Sequence, residues 1–537
     1  MEFVLSSWVP DPAHIAVTFS SLGVLFHVGI LPFEIDTSIL YFFGLFAFFW
    51  AWLVTAFVKA FDMTVQVAIL KASLAGASFL GALGTSMVVY LVPDVQKSGS
   101  KYHQELEKLH NQYGDFVRTG PRHLSINRAS AVLAVHGPQS KCSKSSWYSI
   151  VSGNPDLVST LNVRDHDIHR KRRKVWEKGL GMKAVADYIP RIESKTDLLM
   201  KRLSQHEGKP LDITKWSLLY TFDVMGLVAF SKDYKQLDDS AEHSAIAAMH
   251  SQMDMLAILS PVPWIMYVLG SIPGLKTPLK IFEEYSASQM NERRDEWRRD
   301  NKEKPTDIVS WLVKAKDEHD PCAPPTDFAF HDEGRLAIIA GSDTSGATLA
   351  NAVYYLSSHP KIYKRLQQEV DKAKLKGEDA SQIPYIDAII HETLRLKPVV
   401  PGGLNRVTPP EGLTIDEVYI PGNVILIVPQ HVVQRDERNF ARALEFLPER
   451  WMEEGKHLHK DERAFFPFSI GHYSCIGKQL AMVQLRMALQ RVASEFDLEF
   501  APGGSNERYE RGAKDTFTMT CPPLDMIFKK RLLSEFC

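Results

Sequence analysis

Hydrophobic positions divide the chain into an apolar N-terminal part and a longer part in which apolar and polar residues are interspersed. Apolar runs occupy residues 15–33, 37–58 and 72–92, and the second and third contain no charged residue. Each run is close to the ~20 apolar residues that a transmembrane helix needs. Because the first run contains His27, we predict a membrane anchor over residues 1–93 with two to three transmembrane helices.

The charges around these runs predict how they cross the membrane. Residues 1–13 contain no lysine or arginine, whereas Lys97, Lys101 and Lys108 follow the last run. Positive residues favour the cytoplasmic side of a membrane. We therefore expect a multi-pass membrane protein whose remaining chain lies on the cytoplasmic side.

Residues 94–537 have the pattern of one mainly α-helical domain, because no linker or low-complexity stretch divides them. The spacing of apolar residues predicts long helices over Gly334–Leu356 and from Ile476 to about Val492. Residues 413–427 alternate in hydrophobicity, which predicts a small hairpin that turns at Pro421-Gly422.

Composition excludes some partners and crosslinks. The chain has 62 Lys and Arg against 64 Asp and Glu, a net charge of −2, which argues against nucleic acid as a partner. Its five cysteines have no regular spacing, so they do not predict a disulfide framework. Four of them have no distinctive sequence around them, and the fifth is Cys475.

A cysteine framed by glycines near the C-terminus carries the most chemical information. The segment reads Phe468-Ser-Ile-Gly471-His472-Tyr473-Ser-Cys475-Ile-Gly477 and leads into the second predicted helix. A helix N-terminus beside the sulfur favours the thiolate, and the glycines allow a flat macrocycle to approach. These properties predict an axial thiolate ligand of haem iron, which favours O–O cleavage. A buried structural cysteine is the alternative.

This segment resembles the haem-binding signature of the cytochrome P450 family, Phe-x-x-Gly-x-Arg-x-Cys-x-Gly. Four positions match, Phe468, Gly471, Cys475 and Gly477. The arginine position holds Tyr473, which can donate a hydrogen bond to a haem propionate but has no positive charge, and His472 is a neighbouring candidate for that contact. The resemblance implies haem b with Cys475 as iron ligand, and a triangular, mainly helical fold with small sheets.

A second segment, Ala340-Gly341-Ser-Asp343-Thr344, is similar to the family's oxygen-activating helix. The small residues Ala340 and Gly341 are expected to leave room for a ligand. Asp343 and Thr344 form an acid and alcohol pair in an apolar run, which suits the relay of protons to dioxygen. An exposed Asp-Thr pair is the structural alternative.

Further segments resemble the family's structural and propionate-binding residues. Glu392 and Arg395 lie three apart on one helix face, and the resemblance implies a buried triad with Arg450. It also implies that three cationic side chains meet the haem propionates. These are His169, Arg173 and Arg406.

The run Arg170-Lys-Arg-Arg-Lys174 is the densest basic cluster of the chain. Charge runs usually form a solvated helix face. In the resembling family the same helix borders the surface where an acidic flavoprotein reductase docks, and complementary charge speeds such encounters. We therefore expect NADPH-cytochrome P450 reductase to bind here and to deliver electrons from NADPH.

The motifs Gly477-Lys-Gln-Leu-Ala481 and Pro448-Glu-Arg-Trp451 resemble those of fungal secondary-metabolism cytochromes P450. The resemblance implies a monooxygenase of the endoplasmic reticulum membrane that oxidises a lipophilic molecule, for example a terpenoid, with dioxygen. Residues 399–404, Trp147 and Tyr148 are expected near the substrate. Two alternatives stay open, namely a haem-thiolate isomerase or dehydratase that needs no reductase, and a non-enzymatic haem-binding membrane protein.

Overall fold

The computed structural model describes residues 12–30, 39–61, 64–80, 100–150, 158–259, 272, 277–300, 304–379, 382–503 and 506–531. Helices dominate, as the sequence predicts, and the strands are short. The helices are α1 (Pro12–Ile30), α2 (Ile39–Phe61), α3 (65–80), α4 (Tyr102–Tyr113), α5 (Ala129–His136), α6 (Trp147–Ile150), α7 (His166–Leu180), α8 (Met182–Gln205), α9 (Ile213–Phe230), α10 (Gln236–Asp239), α11 (Ser244–Leu259), α12 (Pro278–Asp300), α13 (Ile308–Asp317), α14 (Asp327–Ser358), α15 (Pro360–Leu375), α16 (Pro384–Leu396), α17 (Gln430–Val433), α18 (Lys478–Glu495) and α19 (Asn506–Gly512).

Four small sheets flank the helices. Their orders are β1-β2-β8-β5-β3, β4-β12-β9, β6-β7 and β10-β11. The strands are β1 (Phe116–Gly120), β2 (His123–Ile126), β3 (Ser143–Lys144), β4 (Pro210–Asp212), β5 (Arg406–Val407), β6 (Leu413–Ile415), β7 (Val418–Ile420), β8 (Ile425–Ile427), β9 (Phe496–Phe500), β10 (Lys514–Thr516), β11 (Thr518–Thr520) and β12 (Asp525–Lys530).

The long helix α14 runs through the core. It begins at an N-cap, Thr326, whose side chain accepts a hydrogen bond from the Ala329 N–H. It packs against α9, α12 and α18. At Gly341 a side chain would collide with Met225 of α9, so the small residue lets these two helices approach closely. The space that we expected Gly341 to leave for a ligand is partly occupied by Met225.

The largest sheet brings distant residues together. In the antiparallel pair of β3 and β5, Lys144 is directly opposite Arg406. Directly opposed residues of an antiparallel pair have their Cβ atoms ~5 Å apart. The register therefore places two cationic side chains next to each other.

The predicted hairpin forms, but with a different turn. Strands β6 and β7 pair with Ile415 opposite Val418, and the turn lies at Asp416, which has a φ of 50°. Pro421-Gly422 instead precedes β8, which leaves the hairpin and joins the large sheet. The alternation of hydrophobic residues is the same in both arrangements, so it does not fix the turn.

The expected transmembrane spans are not supported. Among the residues that the structure describes, no helix is both long enough and apolar enough to cross a membrane. The prediction over 72–92 and the domain boundary at 93 fall largely outside the described residues, since residues 81–99 are not described.

Candidate functional site

A cavity lies between α7, α14, the edge formed by β3 and β5, and the loop that precedes α18. Including its open mouth, it holds about 990 Å³ free of protein atoms, which is large for a small-molecule site. Part of its wall is apolar and comprises Leu161, Leu336, Ala337, Ala340 and Leu404. The charged part of the wall is a group of cationic side chains beside the cysteine loop.

The loop before α18 presents Cys475 to this cavity. Its turn requires Gly471, which has a φ of +67° and at which a side chain would collide with the backbone of His136 and Gly137. The Cys475 N–H donates to the Phe468 carbonyl at 2.7 Å. Helix α18 begins at Lys478, three residues after the sulfur, so the helix N-terminus lies beside it as the sequence predicts.

The cysteine is accessible from the cavity although it lies deep in the protein. Burial raises the pKa of the Cys475 thiol, while the backbone N–H groups of Gly477 and Lys478 and the guanidinium of Arg173 act in the opposite direction. A cation bound at the sulfur would complete this support and deprotonate the thiol. The geometry therefore suits a metal-bound thiolate.

Four cationic or potentially cationic side chains line the cavity beside this loop: Lys144, His169, Arg173 and Arg406. No described residue of the cavity wall is an aspartate or glutamate. Burial, together with Lys144 and Arg173, lowers the pKa of His169 to about 3. Burial and the charge of Arg406 likewise hold the pKa of Lys144 well below its usual range. The cluster is therefore electrostatically complementary to an anionic ligand.

Tyr473 lies between two of these cations. Its ring centre is 4.9 Å from Lys144 Nζ and 4.8 Å from the Arg406 guanidinium carbon, distances at which a cation is attracted to the ring face. The buried hydroxyl of Tyr473 and the buried Nε of Arg406 have no hydrogen-bond partner in the protein. Unpaired buried polar atoms are costly, so these atoms are suited to the oxygens of a bound group.

Lys144 was missed from the sequence. It is almost fully buried, and its Nζ donates to the carbonyls of Thr160 and Leu161 at 3.1 and 2.7 Å. No motif surrounds it, and its two-residue strand is too short to recognise. Only its strand pairing with Arg406 could have indicated that Lys144 belongs to the cationic group of the cavity wall. That pairing joins residues far apart in the sequence, so a local pattern does not reveal it.

The α14 wall presents Ala340, Gly341 and Thr344 to the cavity. The Thr344 hydroxyl donates to the Ala340 carbonyl, one turn earlier in α14, at 2.9 Å. Asp343 is not part of the cavity wall. Its Oδ1 lies 3.2 Å from His250 Nε2 of α11, on a different side of α14 from Thr344.

Several other expected contacts lie elsewhere. Phe468 is packed into the core beside Lys478, and the His472 ring meets the His166 ring at 4.3 Å. Neither residue belongs to the cavity wall. Of the expected substrate region only Leu404 and Tyr148 reach it, and Trp147 packs on Phe517 instead.

Glu392, Arg395 and Arg450 form a fully buried triad. Arg395 donates to both Glu392 carboxylate oxygens, at 2.8 and 2.9 Å. Arg450 Nε donates to Glu392 Oε1 at 3.4 Å. The Leu447 N–H and the Trp451 indole also donate to the same carboxylate, each at 3.0 Å. The triad joins α16 to the turn at Pro448–Trp451 and lies outside the cavity wall.

The basic run of α7 is divided between two environments. Arg170 and Lys174 are exposed, whereas Arg172 is buried and donates to Glu333 at 2.5 Å. Arg173 turns inward and donates to the Ser474 carbonyl at 2.6 Å, next to the cysteine. The expectation that Arg172 belongs to an exposed basic surface is therefore wrong.

Comparison with known proteins identifies the family. A family model described as cytochrome P450 matches residues 84–528. The cytochrome P450 monooxygenase phqL of Penicillium fellutanum is 34% identical over 461 residues, covering 86% of this chain and 80% of that protein. Tryprostatin B 6-hydroxylase of Aspergillus fumigatus is 33% identical over 436 residues, covering 79% and 76%.

A solved structure titled crystal structure of cytochrome P450DA heme domain has a TM-score of 0.66 with 17% identity. The similarity covers 83% of this chain and 95% of that one, and it shows a shared fold. The family model and the relatives above 30% identity cover most of the chain. From these matches and the cysteine loop, the chain belongs to the cytochrome P450 family.

Proposed function

We propose that this cytochrome P450 monooxygenase oxidises a lipophilic secondary metabolite, by hydroxylation or a related reaction. The observation that carries the proposal is a single cavity in which Cys475 and a cationic cluster face an apolar wall. Several relatives are named as fungal P450 monooxygenases, and one name specifies a 6-hydroxylase. Those names support the reaction class but do not identify this chain's substrate.

The residues of the cavity fit haem b. Cys475 would ligate the iron, while Arg173, Arg406, Lys144 and Tyr473 would hold the propionates. The unpaired Tyr473 hydroxyl and Arg406 Nε are donors for which propionate oxygens are natural partners. Bound haem iron with a thiolate ligand supplies reductive activation of dioxygen.

The protein's own residues determine what reaches this group. Leu336, Ala337 and Leu404 form an apolar surface that favours entry of a lipophilic molecule and excludes water. Thr344 presents its hydroxyl at the cavity wall, where it can pass a proton inward, and Asp343 is the adjacent acid. We assign proton delivery to this pair.

The loss of charge at Tyr473 is offset by Lys144, and this leads to a testable expectation. Lys144→Met should weaken haem retention by roughly 10–100-fold, because it removes a charge-assisted hydrogen bond worth about 1.5–3 kcal/mol. Lys144→Arg should retain haem. Transfer of haem to apomyoglobin measures the effect, and equal retention by Lys144→Met and the wild type would contradict the role.

Electron supply separates the proposal from the isomerase or dehydratase alternative. Purified protein with reductase and NADPH should oxidise members of a lipophilic metabolite panel, and omission of NADPH should stop product formation. Product formed at the same rate without NADPH would favour the alternative. Haem binding without any ligand-induced spectral change across the panel would favour the non-enzymatic reading.

The exposed cations of α7 are proposed to dock the reductase. Arg170→Glu with Lys174→Glu should raise the reductase concentration needed for half-maximal turnover by roughly 3–10-fold at low ionic strength, because charge steering is lost. The difference should shrink in high salt. Lys529→Glu, an exposed change on β12, is the control. Unchanged reductase dependence in the α7 variant would refute the docking site.

Attachment to the endoplasmic reticulum membrane, with the catalytic domain cytoplasmic, remains a proposal. It is supported by the uncharged run at 37–58 and by the exposed aromatic side chains Phe48 and Trp52 of α2. The full chain should stay with the membrane pellet after alkaline carbonate washing. In intact microsomes, added protease should digest the catalytic domain, because that domain faces the cytoplasm. Release by carbonate would contradict the anchor.

A further inference from the structure

A histidine on α11 links the buried acid of α14 to the protein surface. His250 Nε2 lies 3.2 Å from Asp343 Oδ1, and its Nδ1 lies 2.7 Å from Glu242 Oε1. The exposed fraction of the side chain rises from 10% for Asp343 to 31% for His250 and 33% for Glu242. The three groups therefore lead from the interior to solvent.

The imidazole of His250 lies between two carboxylates, Asp343 at Nε2 and Glu242 at Nδ1. Burial opposes protonation, yet the hydrogen bonds that His250 donates to the Asp343 and Glu242 carboxylates, together with the negative charges of these groups, raise the pKa of His250 to about 10. On the neighbouring elements, Phe222 of α9 places its ring 6.1 Å from the imidazole, and Lys514 of β10 pairs with Asp254 of α11 at 3.3 Å. At neutral pH His250 is thus a cation with a proton on each nitrogen.

We propose that Glu242 and His250 form the route by which solvent protons reach Asp343, with His250 passing the proton to Asp343 and touching neither substrate nor cofactor. The inference rests on the proposed monooxygenase function, which consumes protons in the cavity beside Thr344. Asp343 does not belong to the cavity wall, whereas the next residue, Thr344, does, so solvent protons must reach Asp343 from outside before they can pass to Thr344.

Each transfer on this route is balanced. The N–H bond of His250 Nε2 breaks as an O–H bond forms on Asp343 Oδ1, leaving a neutral imidazole and a neutral acid. Rotation of the Asp343 side chain then brings this proton to the Thr344 hydroxyl oxygen, which releases its own hydroxyl proton into the cavity, so Asp343 is again a carboxylate and Thr344 is again neutral. Rotation of the His250 side chain about Cα–Cβ and Cβ–Cγ brings the bare Nε2 to the solvent beside Glu242, where it takes up a proton, and return of the side chain restores the cation beside Asp343. One proton enters for each proton delivered.

The decisive variant is His250→Gln, because a glutamine amide can still donate to Asp343 but cannot carry the proton onward. We expect turnover to fall by about 10-fold or more, with a larger solvent deuterium isotope effect and a larger share of NADPH electrons appearing as hydrogen peroxide. Glu242→Gln should change these quantities in the same direction. Unchanged turnover, isotope effect and peroxide yield in His250→Gln would overturn the route.

His243→Gln is the matched control. This histidine packs on Tyr285 at 4.6 Å and accepts a hydrogen bond from the Ala245 N–H, with no contact to Asp343 among the described interactions. It should behave like the wild type. If His243→Gln shows the same losses as His250→Gln, the effect is general to this region and the route is overturned.

A second measurement does not depend on activity. The folded pKa of His250, about 10, lies above the ordinary value of 6.5, so its stabilising contribution is complete below about pH 6.5 and is lost as the pH rises toward 10. The melting-temperature difference between wild-type holoenzyme and His250→Gln should therefore shrink over this interval. A difference that is constant with pH would overturn the charged bridge.

The carbon monoxide difference spectrum distinguishes failure of this inference from failure of the proposed function. A red-shifted band in both the wild type and His250→Gln, with the expected kinetic changes, supports the route. The same band in both with no kinetic change overturns the route alone. Absence of the band from the wild type overturns the proposed function and the inference with it.

Discussion

Replacing Cys475 by alanine is expected to abolish the red-shifted Soret band of the reduced, carbon monoxide-bound protein, along with NADPH-dependent turnover. The reason is that, among the described residues of the cavity wall, no other side chain is a thiol. The difference spectrum of the protein in microsomes measures this directly. Turnover should fall below detection, because the thiolate is what directs the iron toward O–O cleavage.

Cys322→Ala is the matched control for this substitution. Cys322 is half-buried and lies outside the cavity wall, so its loss should leave the spectrum unchanged. A red-shifted band that persists in Cys475→Ala would mean that another thiol ligates the iron. A wild type that binds haem but shows only the unshifted band would show that the cysteine loop does not provide the ligand.

Replacing Glu392 by glutamine is expected to produce the largest loss of stability. Glutamine keeps the size of the side chain but removes the charge that compensates two fully buried guanidinium groups, Arg395 and Arg450. Removing one partner of a buried ion pair typically costs about 3–5 kcal/mol. The protein should unfold at lower denaturant concentration and should accumulate without haem.

An exposed ion pair gives the comparison for this stability effect. Glu499 and Lys529 pair at 2.7 Å with about half of each side chain exposed, and such pairs contribute less than about 1 kcal/mol. Glu499→Gln should therefore retain haem and unfold near the wild-type midpoint. Equal unfolding midpoints for the Glu392 and Glu499 variants would contradict the structural role of the triad.

The local parts of the fold were predictable because they depend on neighbouring residues. The helix after Cys475, the long helix around Thr344 and the mainly helical fold follow from periodicity, and the structure confirms these elements. The hairpin turn was misplaced because Pro421-Gly422 is an equally good turn signal. Which of two turn signals is used depends on β8 joining the large sheet, a non-local pairing.

The contacts of the site were less predictable for the same reason. The signature gives the position of Cys475 but not the direction of Asp343, which is set by His250 of another helix. The space beside Gly341 is partly occupied by the side chain of Met225, which belongs to another helix, α9. Lys144 is aligned with Arg406 only through strand pairing. Sequence patterns report spacing along one element, whereas these contacts join elements that are far apart in the chain.

The pairing of β3 with β5 places positive charge at the cavity that does not come from the cysteine signature. The cations of the cavity wall come from β3, from α7 and from β5, so they do not depend on one segment of the chain. A substitution such as tyrosine in the signature can then be tolerated when a second strand already carries a lysine. A cysteine signature without its arginine therefore does not by itself exclude a cationic site, because the charges can lie on other segments.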